Sequence, residues 1–271
     1  MKLVLLILNG NLSINHVLDT AIAMAAESDC YFQTVVFNRS LDLDEYQYLF
    51  PNDLSLTRNS FTNESIREED AAILKDNIRL CMEKFNTAKL HFNIDPDTDL
   101  PLEKLLALSA FSDFILADGT HNIGHYQLAD ILAKAHCPHY LVAPAFEKPA
   151  SVLFTYDGSP ASVLALKSFS QLFPEWKQLP HYLAFVSNND KAKLPQEKYI
   201  SDWMNKQLNK VNVSIVSGAV TEALPSFIKS LNRPIVTMGS FGRNALSRFF
   251  HKSLASTIRE ETGCSLFITH Q

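Results

Sequence analysis

Two short apolar runs, each closed by a polar residue and a glycine and each followed by a helical pattern, divide this chain. They are Leu3-Val4-Leu5-Leu6-Ile7-Leu8-Asn9-Gly10 and Val152-Leu153-Phe154-Thr155-Tyr156-Asp157-Gly158. Far downstream of each comes a helix stop, a cysteine and a strand-like run: Ala135-His136-Cys137-Pro138-His139-Tyr140-Leu141-Val142 in the first case, Thr262-Gly263-Cys264-Ser265-Leu266-Phe267-Ile268-Thr269 in the second. A chain that begins and ends twice in the same way reads as a tandem repeat. Gly10 to Cys137 is 127 positions and Gly158 to Cys264 is 106, so the first copy is longer by about 21, most of it expected between Asn38 and Asp70.

Within each copy, strand-like runs alternate with helical ones, which implies βαβ units and a mainly parallel sheet covered on both faces. The expected fold class is therefore α/β, with two tandem five-stranded sheets in domains at 1–145 and 150–271 and a linker at Pro144 to Pro149. In the first copy the expected strands lie near Leu3 to Leu8, Tyr31 to Phe37, Lys89 to Ile94, Phe114 to Ala117 and Tyr140 to Ala143. In the second they lie near Val152 to Tyr156, His181 to Val186, Val211 to Val216, Ile235 to Met238 and Ser265 to Thr269. The second copy's helices are expected near Pro160 to Leu172, Gln196 to Leu208, Thr221 to Leu231 and Ser253 to Glu261. Ser159-Pro160 reads as an N-cap and first helical residue, and Gly263 as a helix stop.

Composition narrows the function. A net charge of -5 and a pI near 6.0 argue against a nucleic-acid partner, which needs a basic face. The cysteines, Cys30, Cys81, Cys137 and Cys264, form no C-x-x-C pair, which fits a reducing compartment. The N-terminal apolar run is cut by Asn9-Gly10-Asn11 and reads as a buried strand rather than a leader peptide. With no run near the roughly 20 apolar residues of a bilayer span, the expectation is a soluble, cytoplasmic protein with no membrane partner.

The stretch Pro234-Ile235-Val236-Thr237-Met238-Gly239-Ser240-Phe241-Gly242-Arg243 sets a glycine pair directly after a β-branched strand and ahead of a helix. Such a turn can hold a phosphate against backbone N–H groups and a helix dipole, or simply supply loop glycines. Asp157 either ends its strand and orders the turn or touches a ligand. Arg243, Arg248, His251 and Lys252 form either a phosphate-binding set or a solvated basic face. His121 and His125 with His136, Cys137 and His139 lack a diagnostic metal-ligand spacing, so no metal is expected. The charged segment from Asn63 to Met82 reads as an amphipathic helix, with a partner-binding face as the alternative.

Five strands per copy, a first strand ending in Asp-Gly-Ser, and glycines after the fourth strand resemble the universal stress protein family along the whole chain. ATP-binding members carry Gly-x2-Gly-x9-Gly-Ser/Thr, written here as Gly239-x2-Gly242-x9-Lys252-Ser253. The resemblance implies Thr155 and Asp157 near an adenosine, and Met238, Gly239 and Gly242 beside ribose and phosphates. It also implies Ser253 and Leu254 at the start of the last helix; beside them Arg243, Arg248 and Lys252 are the candidate phosphate partners. Lysine in place of the third glycine predicts an altered, weakened site. In the first copy Asn9 replaces the aspartate, and Ala117-Asp118-Gly119-Thr120-His121-Asn122 replaces the glycine loop, so no ATP is expected there. The implied protein is a non-catalytic, ATP- or adenine-nucleotide-binding stress protein whose halves pack as a pseudo-dimer, with a homodimer and a protein partner left open. The alternative is an interaction protein whose nucleotide sites have decayed. No nucleophile elbow or zinc-protease motif supports an enzyme.

Overall fold

The computed structural model describes residues 1–10, 12–38, 63–95, 100–123, 126–189, 191–240 and 245–270. The first half runs β1 (Lys2–Asn9), α1 (Asn15–Ala25), β2 (Cys30–Phe37), α2 (Asn63–Thr87), β3 (His91–Asp95), α3 (Leu102–Ser109), β4 (Phe114–Asp118), α4 (Leu128–Lys134) and β5 (His139–Val142). The second runs β6 (Ser151–Thr155), α5 (Pro160–Leu172), a 3-10 turn (Pro174–Gln178), β7 (His181–Ser187), α6 (Glu197–Gln207), β8 (Val211–Ser217), α7 (Val220–Lys229), β9 (Pro234–Ser240), α8 (Ala245–Thr262) and β10 (Leu266–His270). Ser159 caps α5 by accepting the Ser162 N–H at 3.2 Å, with Pro160 as the first helical residue. Gly263 (φ +63) ends α8, and its amide returns to the Arg259 carbonyl. Both signals operate where the sequence places them.

The two five-stranded sets are not separate sheets. They join edge to edge in one ten-stranded sheet, ordered β3-β2-β1-β4-β5-β10-β9-β6-β7-β8. Read outward from the seam, each half repeats the same internal order, and every pairing is parallel except β5 with β10. That antiparallel seam sets Tyr140 beside Phe267 and Leu141 beside Leu266, and Ser265 Oγ accepts the Ala143 amide at 3.1 Å. Left open, β5 and β10 would each present an edge of unpaired backbone groups; the seam satisfies both.

Strand side chains alternate between two cores, one on each face. Val4, Leu6 and Leu8 of β1 enter the core under α1, α2, α5 and α6, whereas Leu5 and Ile7 enter the core under α3, α4, α7 and α8. The first core crosses the seam through an aromatic cluster. Phe173 stacks on Trp176 at 4.9 Å and meets Phe114 and Tyr140 of the first half at 5.3 and 6.1 Å. Lys2 adds a 2.5 Å ion pair to Glu175 and lies 4.9 Å above the Phe173 ring, and Trp176 Nε1 donates to Glu27 at 2.6 Å. Among the described residues, no helix is long and apolar enough to cross a membrane.

Candidate functional site

In each half the strand order reverses between the first and fourth strands, β1/β4 and β6/β9. The crevice beyond the carboxyl ends of those strands is where open α/β sheets bind ligands. In the second half three of the anticipated residues, Thr155, Asp157 and Gly239, meet there. Thr155 ends β6 and donates its hydroxyl to the Thr237 carbonyl of β9 at 2.9 Å, so it ties the two strands together. Asp157 follows, exposed, with Oδ1 accepting the Ser159 amide at 2.9 Å in an Asx turn that leads into α5. Met238 is 4% exposed and belongs to the core rather than the crevice surface.

Gly239 has a packing reason of its own. A Cβ built on it would lie 2.3 Å from both the carbonyl carbon and the oxygen of Ala161. Only glycine lets the end of β9 rest on the first turn of α5, which brings that helix's N-terminus to the switch point. Gly158 is equally constrained: its φ of +81 is left-handed, and a Cβ there would come within 2.6 Å of Pro195 Cβ. Around it, the Tyr156 hydroxyl donates to the Pro195 carbonyl at 2.9 Å and Gln196 Nε2 to the Gly158 carbonyl at 3.3 Å. The segment before α6 thus closes the β7 side of the crevice with Leu194, 7% exposed, beneath it. Sequence reasoning missed this closure, because nothing local links Pro195 to a turn so far upstream.

The last helix departs from expectation. It begins at Ala245, well before Ser253. Ser253 is therefore interior to α8 rather than at its start, and Lys252, at the third-glycine position, has helical backbone. The reason is local: Ala245 to Lys252 has no glycine or proline, and lysine extends a helix where glycine would weaken it by about 1 kcal/mol. Leu254, 4% exposed, packs into the core under α8. Gly242 and Arg243 lie outside the described residues, as do the side chains of Arg248, His251, Lys252 and Ser253.

The first-half crevice is filled by its own polar groups. Asn9, 6% exposed, donates to the Asn122 carbonyl at 3.0 Å, and α2 lays Asn77 across the strand end, donating to the carbonyls of Gly10 (2.6 Å) and Leu12 (3.1 Å). Asp118 accepts from the Thr120 amide at 2.7 Å and from its hydroxyl at 2.6 Å, and it contacts His121 Nδ1 at 2.8 Å. His16 Nε2 is 3.6 Å away, an ion-pair distance rather than a hydrogen bond. Burial alone would raise the Asp118 carboxyl, but the contacts from His16, Thr120 and His121 outweigh it and hold it well below the usual carboxylate range. Arg259 of α8 adds its attraction from the second half. The sequence placed Asp118 where the glycine loop would stand; His16 and Arg259, contributed by other elements, carried no local signal. His125 lies outside the described residues, and among the described residues no cluster of His, Cys, Asp or Glu could hold a metal ion.

No protein-family model and no curated protein matches the chain. Solved structures do. A universal stress protein from Archaeoglobus fulgidus DSM 4304 is similar at 15% identity and a TM-score of 0.70, over 99% of this chain and 97% of its own. A putative universal stress protein from Pseudomonas aeruginosa UCBPP-PA14 matches at 12% identity and a TM-score of 0.52, over 99% and 92%. The cytoplasmic domain of a prokaryotic cation chloride cotransporter matches at 10% identity and a TM-score of 0.54, over 98% and 94%. At such identities the likeness is one of fold: over nearly its whole length, this chain has the fold of the universal stress proteins.

Proposed function

We propose that the protein is a cytoplasmic, non-catalytic member of the universal stress protein family that binds an adenine nucleotide in its second half only. One observation carries the reading. Gly239, next to the last residue of β9, lies against the N-terminal turn of α5, into which the exposed Asp157 leads, and the 18-residue helix α8 begins a few residues further along the chain. Helix N-termini at a switch point favour phosphate through their free N–H groups and dipole, and a strand-end carboxylate suits the hydroxyls and amine of an adenosine. The early start of α8 carries Lys252 into the helix. The phosphate arrangement would therefore differ from that of the ATP-binding motif. Mass spectrometry of small molecules released from the native, purified protein tests this reading: a nucleotide at up to one per chain is the expected result, and an empty protein the contrary one.

A second reading, an interaction protein without nucleotide, is favoured by the closure of the crevice by Pro195 and Gln196 over Gly158. It would show as an empty protein that nevertheless retains a macromolecular partner through purification.

A further inference from the structure

β8 is the outer strand of the second half, and among the described residues it pairs only with β7. The Gly218 amide donates to the Ser187 carbonyl at 3.0 Å. Backbone groups alternate direction along a strand, so in this parallel ladder the even-numbered residues of β8 turn N–H and C=O toward β7. Val211, Val213, Ile215 and Ser217 turn theirs outward. Within Val211–Ser217 there is no proline and no charged side chain, the usual guards of an open edge. Val213 and Ile215 are each 46% exposed on the face they share with Leu183 and Phe185, their register partners on β7. The opposite edge of the sheet, β3, is shorter and carries Asp95.

We propose that this edge is a self-association surface, occupied by β8 of a second copy running antiparallel about a two-fold axis at Ser214. A row of outward backbone donors and acceptors specifies another strand. The segment Val211-Asn212-Val213-Ser214-Ile215-Val216-Ser217 suits a second copy of itself, because a two-fold at Ser214 sets its two exposed aliphatic residues, Val213 and Ile215, opposite each other. In that register Val213 faces the partner's Ile215 and Val211 faces the partner's Ser217. Both pairs are formed by outward-turned residues, so each exchanges two N–H···O bonds, while the two copies of Ser214 make a closely spaced pair without them. The exposed Val213 and Ile215 of both copies then form one aliphatic cluster. Lys210 falls opposite the partner's Gly218, so no like charges meet. The chain already makes a joint of this kind internally, in the antiparallel seam of β5 and β10. A single strand pair is small for an interface, so the dimer is concentration-dependent.

Sedimentation velocity of the full chain from about 1 to 200 µM tests the proposal. A monomer–dimer equilibrium is expected. Val213→Lys or Ile215→Glu alone should weaken it at least about 10-fold, and the double variant should restore it, because each new lysine then faces a glutamate of the partner. Ile215→Pro should also dissociate the dimer, since it removes an outward N–H and leaves the β7 ladder intact. Circular-dichroism melts check that each variant is folded. Where one is not, Ser214→Cys replaces it: mild oxidation should give a covalent dimer across the closely spaced pair. A chain monomeric throughout the range, a dimer indifferent to the folded variants, or a wild-type dimer whose Ser214→Cys form does not cross-link would overturn the proposal.

Discussion

Gly239 and Ala161 meet backbone to backbone: a methyl group on the glycine would stand 2.3 Å from the Ala161 carbonyl. The neighbour is main chain in the first turn of α5 and cannot rotate away. Gly239→Ala should therefore destabilise the fold by about 1–3 kcal/mol or more through overpacking, read as a lower urea midpoint with unchanged slope. A wild-type midpoint would mean that β9 and α5 are not in contact at this point.

Asp118 links the first-half crevice to acid stability. Its folded carboxyl lies below its unfolded value, so the stabilisation is present above about pH 4, the usual unfolded aspartate range, and is lost as pH falls toward the folded value. Asp118→Asn should cost about 1–3 kcal/mol at pH 7, and the gap to wild type should narrow steadily below about pH 4. Denaturation curves at neutral and acid pH distinguish this from a pH-independent loss.

The aromatic cluster bridges the two halves across the seam. Phe173 touches Phe114 and Tyr140 across the seam as well as Phe169 and Trp176 beside it. Phe173→Ala should cost about 3–5 kcal/mol, and calorimetry should still show the halves melting together in the wild type. Two well-separated wild-type transitions would indicate that the seam contributes little.

Burial pushes the thiols of Cys81 and Cys137 up to about 12. Neither forms appreciable thiolate at neutral pH, so both should resist alkylation in the native protein and react at once in denaturant. Mass mapping of labelled peptides reads the difference directly.

Much of this architecture could be read from the chain. Ser159-Pro160 located the start of α5 because the cap chemistry is local, and Gly263 located the end of α8 for the same reason. The alternating apolar runs located the strands within a residue or two. Three features escaped. The joining of β5 to β10 depends on two edges whose complementarity no short window contains. The start of α8 moved because a glycine-based motif anticipated a turn where Lys252 and its neighbours favour helix. The contents of the crevices came from distant segments: Asn77 over Gly10, His16 beside Asp118, Pro195 over Gly158. Each of these is a tertiary contact with no periodic signature.

The central claim is one nucleotide site per chain, in the second half. Isothermal titration of ATP, ADP and AMP into the wild type, Asp157→Ala and Asn9→Asp measures it most directly. A stoichiometry of one in the wild type and in Asn9→Asp, with binding lost or weakened at least about 10-fold in Asp157→Ala, is the expected result. No binding by any of the three nucleotides, or binding indifferent to Asp157, would contradict it.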